Sequence, residues 1–142
     1  MRIKCHRIVG GQGVGDVIIT RQPINFLTMF NTNNGNVINQ NHELFGKSVK
    51  DTVLVFPKAI GSSVGAYTIY SLKSMNTAPV AMVCTEQTDI ITASGCAISN
   101  IPLVKLTDEL PVLSFHPRLR IVVDADNETL LVKKIRSFNH YS

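Results

Sequence analysis

Two short, continuous and largely apolar runs, TVLVF at residues 52–56 and APVAMVC at 78–84, bracket a segment in which Ala66, Ile69, Leu72 and Met75 recur at the helical period. A run with no polar alternation belongs to a strand covered on both faces. A helix between two such strands is too long for a hairpin. The pattern therefore predicts a strand, a crossover helix and a second strand, paired in parallel with a right-handed connection. Pro57 closes the first strand, and Asn76 and Pro79 stop the helix. TDIITASGCAIS then predicts a second short helix, with Thr88 or Asp89 as its cap and Gly95 as its stop, and IPLV a third parallel strand.

The flanking segments read as β structure. KCHRIVGG and GDVIIT are β-branched runs punctuated by glycines at 10, 11, 13 and 15. QPINFLTMF reads as an extended piece entered at Pro23. Asn34-Gly35 signals a hairpin whose returning strand begins at Val37 and Ile38. HELFGKSVKD reads as a connector. RLRIVVDADNETLLVKKI predicts two strands around an Asp-Asn-Glu turn. The fold class is α/β: an antiparallel or barrel-like β layer with a parallel βαβα portion packed beside it. With 142 residues, 44% hydrophobic, the reading is one domain over 1–142.

Charge narrows the function. The net charge is +4, but the basic residues are scattered: Arg2, Lys4 and Arg7 early, then Arg118, Arg120, Lys133, Lys134 and Arg136. No tract of like charge and no tryptophan is present, which argues against nucleic-acid binding. A mild positive bias suits an anionic small substrate. Cys5, Cys84 and Cys96 show no CxxC spacing, and His6, His42, His116 and His140 lack metal-ligand spacing. The reading is that this chain binds no metal and that Cys84 and Cys96 are core residues. No apolar run reaches the roughly 18 residues of a membrane helix, and MRIKCHRIVGG carries no leader pattern, so no membrane association and a cytoplasmic location are expected.

Three glycine-containing motifs resemble known functional sites. RIVGG resembles the activated N-terminus of trypsin-like proteases, but no GDSGG-type segment accompanies it. GGQGVGD resembles a dinucleotide loop, yet it leads into DVIIT, a strand, so it reads as a turn between strands. GSS at 61–63 stands at the carboxyl end of a parallel strand and the start of a helix, where α/β proteins bind ligands. It reads either as a serine cap or as a reactive site. There a glycine lets backbone N–H groups approach a substrate, and the helix N-terminus favours negative charge. No GxSxG elbow and no ordered His/Asp set accompanies the serine. It would then be a proton acceptor activated by electrostatics rather than an acyl nucleophile.

PINF, HELFGKSV, VLVFP, GSSVGAYTIY, APVAMV, DIITASGCAIS and IPLV occur in the order found in the small subunit of aconitase-X proteins. The chain resembles that family over roughly residues 8 to 125, and departs from it at LTMFNTNN and at Ala59-Ile60. The resemblance implies a swivelling β/β/α domain like the mobile domain of aconitase. It implies a large aconitase-X-like partner subunit that carries an iron–sulfur cluster, with no cofactor bound by this chain. By the same resemblance Ser62 is the proton acceptor, and Gly61 and Ser63 offer hydrogen bonds to the substrate. The implied reaction is dehydration of a hydroxy acid, (R)-5-phosphomevalonate to trans-anhydromevalonate 5-phosphate, by a complex whose small subunit is inactive alone. Another hydroxy acid such as a hydroxyproline, or a non-catalytic swivelling or anion-binding module, are the alternatives.

Overall fold

The structure is a computed structural model that describes residues 1–108 and 119–134. Its strands are β1 (Arg2–Val9), β2 (Gln12–Ile19), β3 (Phe30–Asn31), β4 (Asn36–Val37), β5 (Thr52–Phe56), β6 (Ala81–Cys84), β7 (Leu103–Leu106), β8 (Leu119–Asp124) and β9 (Thr129–Lys134). The helices are α1 (Gly65–Ser74), between β5 and β6, and α2 (Ile90–Ser99), between β6 and β7. His116, Arg118, Arg136 and His140 lie outside the described residues.

The run TVLVF is apolar from Val53 onward because it faces two cores. Val53 and Val55 point into a closed barrel with Val17, Val83, Val104, Ile121, Val123 and Leu130. Leu54 and Phe56 point outward, to a second core with Ile69, Leu72, Met82, Cys96 and Leu103 beneath the helices. Alternation along one strand thus feeds both layers. The barrel order is β1-β7-β6-β5-β2-β8-β9, and β9 closes on β1 through Arg2↔Leu131 and Ile3↔Leu130. Strands β2, β5, β6 and β7 run parallel, in register Val17↔Val53, Val53↔Ala81 and Val83↔Val104.

The parallel portion therefore shares one closed sheet with the antiparallel strands. It does not lie beside them as a separate layer. Antiparallel β8 and β1 pair with the outer parallel strands β2 and β7, which leaves no open edge on the parallel set.

Three local readings change, and the choice of cap between Thr88 and Asp89 is settled. First, Gly95 is interior to α2, not its stop. The helix ends at Asn100, which takes the left-handed conformation at φ 56°. Gly95 is small because α1 packs against it. Asp89 is the cap: its carboxylate accepts the Thr92 N–H at 3.0 Å and the Thr92 hydroxyl at 2.8 Å. Second, Gly10 and Gly11 make the turn before β2, but Gly13 and Gly15 lie within β2. A Cβ on Gly15 would sit 2.7 Å from the Asp51 carbonyl oxygen, so backbone contact demands glycine there. Third, QPINFLTMF does not stay extended. The Asn25 carbonyl accepts the Met29 N–H at 3.1 Å and folds the segment into a turn before β3.

The hairpin signal holds. β3 and β4 pair through Phe30↔Val37, with Gly35 at φ 78°. Phe26 anchors this excursion to the barrel: its ring lies 5.7 Å from Phe30, stacked, and 5.7 Å from Phe56, edge-on.

Candidate functional site

The carboxyl ends of β2 and β5 lie side by side, and their exit loops remain joined. Beyond the strands, Ile24 bridges Ala59 in parallel: the Ile24 N–H donates to the Lys58 carbonyl at 3.0 Å, and the Ile60 N–H to the Ile24 carbonyl at 2.9 Å. This pairing carries the second loop one step further, to Gly61, Ser62 and Ser63, all three exposed. Gly61 adopts φ 102°, a conformation that side-chain-bearing residues avoid.

Neither serine caps α1 at its Ncap. That position is Val64, whose apolar side chain makes no hydrogen bond to the helix. Instead the Ser62 hydroxyl accepts the Val64 N–H at 3.1 Å. The Ser62 and Ser63 carbonyls accept the Gly65 and Ala66 N–H groups at 2.9 and 3.3 Å. Among the described residues, the N–H groups of Gly61, Ser62 and Ser63 donate to nothing, and the Ser63 hydroxyl has no partner. The site thus offers consecutive free donors beside a hydroxyl oxygen that already receives one hydrogen bond. Both features favour negative charge at this place.

The chemistry of the surroundings is consistent. Arg21 and Lys58 stand on the two joined loops, and no ion pair holds either of them among the described residues. Arg120 is spent on the barrel wall, 2.7 Å from Asp16. The backbone N–H of Arg7 donates to the Glu128 carboxylate, beside the turn between β8 and β9. Exposed apolar side chains flank the loop: Leu27, Ile60 and Val64, with Tyr67 at 73% exposure on the first turn of α1.

The β2 exit loop is held by Glu43 and His42. The Glu43 carboxylate accepts hydrogen bonds from the Thr20 hydroxyl and from the Arg21 N–H. The Thr20 hydroxyl, first of all, holds that carboxyl below its ordinary value. The buried ring of His42 spans the Pro23 carbonyl at 3.1 Å and the Leu44 N–H at 3.1 Å.

All three cysteines are buried, Cys84 and Cys96 fully so, as core residues. Burial pushes the Cys5 thiol up to about 11 and Cys84 up to about 12, and raises Cys96 as well. Protonated thiols enclosed in apolar cores, Cys5 in one and Cys84 and Cys96 in the other, are not the donor set an iron–sulfur cluster needs. Among the described residues, no three His, Cys, Asp or Glu side chains come together as a metal site.

Sequence reasoning missed Asn25. It lies in the β2 exit loop, and its side chain packs on the α-carbon of Gly61. A Cβ on Gly61 would meet its Nδ2 at 2.7 Å. An Asn after Pro-Ile can be read as a turn former, but nothing in its spacing ties it to Gly61.

A closed mixed barrel, covered by two crossover helices and offering a hydroxyl at the carboxyl end of its parallel strands, defines the class: a swivelling β/β/α domain. The chain belongs to the aconitase X swivel domain family, whose pattern matches residues 2–132. It is 41% identical over 132 residues to the phosphomevalonate dehydratase small subunit of Methanothrix thermoacetophila, an alignment covering 93% of this chain and 95% of the relative. It is 39% identical to the protein of the same name from Thermococcus kodakarensis, over 89% of this chain and 92% of that one. The crystal structure of Thermococcus kodakaraensis aconitase X in its holo form contains a chain with TM-score 0.86 and 35% identity, covering 94% of this chain and 99% of that one.

Proposed function

We propose that the chain is the small subunit of a heteromeric hydro-lyase that converts (R)-5-phosphomevalonate to trans-anhydromevalonate 5-phosphate, with residues 1–142 forming one swivelling domain. The names carried by relatives over nearly their whole length support the substrate. The observation that carries the chemistry is the exposed Ser62 hydroxyl, hydrogen-bonded by Val64 N–H beside the free N–H groups of Gly61 and Ser63.

In this reading Ser62 removes the proton from the carbon next to the substrate carboxylate. The C–H electron pair forms the new double bond, and the hydroxyl on the neighbouring carbon leaves with the C–O pair and is released as water, a departure that the large subunit's cluster would assist as a Lewis acid. A free serine hydroxyl is a poor base, so its oxygen needs donors that stabilise the alkoxide. The Val64 N–H is one, and the helix behind it adds a favourable dipole. Gly61 and Ser63 donate to the substrate. Arg21 and Lys58 make the loop mouth attractive to an anion.

The iron–sulfur cluster belongs to the large subunit. The loop of this chain is open to water on its own and rimmed by Leu27, Ile60 and Val64. A large subunit that covers this rim would exclude water and complete the site, so the small chain alone is inactive. The complex is placed in the cytoplasm. The test is the anaerobically reconstituted complex assayed with phosphomevalonate and with a hydroxyproline. Ser62→Ala should lower kcat by at least about 100-fold, in keeping with loss of a general base. Near-normal turnover by that variant removes Ser62 from the chemistry. Turnover of hydroxyproline alone moves the substrate assignment.

A further inference from the structure

We infer that Asn25 is a substrate-contacting residue of this site, its side-chain amide donating to the substrate carboxylate beside Ser62. The inference rests on the reading of Ser62 above. It comes from the way the β2 exit loop meets the β5 exit loop.

The Asn25 side chain lies against Gly61, with Nδ2, Cγ and Oδ1 at 2.7, 2.8 and 2.8 Å from where a Cβ would stand. Gly61 at φ 102° leaves that space open, and Asn25 occupies it. Asn25 is held from both sides. Ile24 is bonded in both directions to Lys58 and Ile60. The Asn25 N–H donates to the Met29 sulfur at 3.1 Å. The Asn25 Oδ1 accepts the Leu27 N–H at 3.1 Å, closing a local turn that fixes which way the amide faces.

With Oδ1 engaged, the NH2 end carries the remaining chemistry. It donates to nothing among the described residues, although the side chain is half-buried. The amide reaches solvent, so its two unused donors are open to a ligand in exchange for water. Its neighbours, the free N–H groups of Gly61, Ser62 and Ser63, are donors as well. A set of donors with no acceptor fits a carboxylate, whose charge grows as the adjacent carbon loses its proton.

Asn25→Asp separates this role from a structural one. An aspartate has the same shape and still accepts the Leu27 N–H, so the turn and the melting temperature should persist. Its side chain has no N–H, and its charge opposes an anionic substrate. In the reconstituted complex with phosphomevalonate, Asn25→Asp should lower kcat/KM by about 100-fold at pH 8, more than the about 10-fold of Asn25→Ala. The Asp deficit should shrink as pH falls towards 5 and its carboxyl regains a proton to donate. The Ala deficit should not change with pH. An active wild type with Asn25→Asp within threefold of it, or with a pH-independent deficit matched by a lowered melting temperature, overturns this role alone. A wild-type complex that dehydrates neither phosphomevalonate nor another hydroxy acid overturns the functional reading and this role with it.

Discussion

Gly95 and Ile69 set the distance between the two crossover helices: a Cβ on Gly95 would lie 2.6 Å from Ile69 Cδ1 and 2.9 Å from Ile69 Cβ. Both helices lie on the same outer face of the barrel, and Ile69 and Cys96 are completely buried between it and them. A larger residue at 95 must push α1 away from that core.

Gly95→Ala should therefore destabilise the protein, although alanine is the better helix former by about 1 kcal/mol. The overlap costs about 1–3 kcal/mol, as overpacked cores do. The net loss should lower the melting temperature by several degrees. Adding Ile69→Val deletes the Cδ1 atom, so the double variant should lose less than the sum of the two single losses. A double-mutant cycle by thermal or urea denaturation measures that coupling.

Gly61→Ala tests the loop. Alanine at φ 102° is strained by about 1–3 kcal/mol, and its Cβ collides with Asn25. The loop should relax to a negative φ and carry Ser62 away from its position. The expected outcome is a modest fall in melting temperature with at least a tenfold fall in kcat/KM of the reconstituted complex.

The thiols predict alkaline instability. Burial raises Cys5 from 9.0 to about 11 and Cys84 from 9.0 to about 12. Between about pH 9 and pH 11 the unfolded chain has lost protons that the folded chain keeps, so stability falls as pH rises. Below pH 9 both states are protonated and this contribution is constant. The urea midpoint should drop steadily above pH 9, and Cys84→Ala should flatten the descent. At pH 8 without denaturant, iodoacetamide should leave all three cysteines largely unlabelled.

Glu43 predicts the opposite sign in acid. Its carboxyl is held below 4.5, chiefly by the Thr20 hydroxyl. The stabilisation is fully present above pH 4.5 and is lost as pH falls through the lower folded value. Because Glu43 is exposed, the effect is a few tenths of a kcal/mol. Glu43→Gln should be slightly less stable than wild type at pH 7, and the difference should shrink as pH falls below 4.5 in urea titrations.

Legibility followed the range of the interactions. TVLVF, APVAMVC and IPLV were readable as parallel strands because burial on both faces leaves a run with no polar alternation. GSS was readable as the junction between β5 and α1 because a strand end and a helix start are local features. Gly95 was misread as a stop because a glycine selected for helix–helix contact looks, in sequence, like one selected for a left-handed turn. Asn25 was invisible for a related reason. Its loop is joined to that of Gly61 only through the Ile24–Ala59 bridge, and register between distant strands has no local signature.

By itself the sequence determined the elements, their parallel pairing and the hydroxyl at the end of β5, because hydrophobic period and turn chemistry act over a few residues. The tertiary structure alone decided that the parallel and antiparallel strands share one closed barrel and that α2 runs through Gly95. It alone placed the amide of Asn25 next to Gly61. Those outcomes depend on how far apart two packed backbones can stand, and that distance is set by surfaces that meet only when the chain is folded.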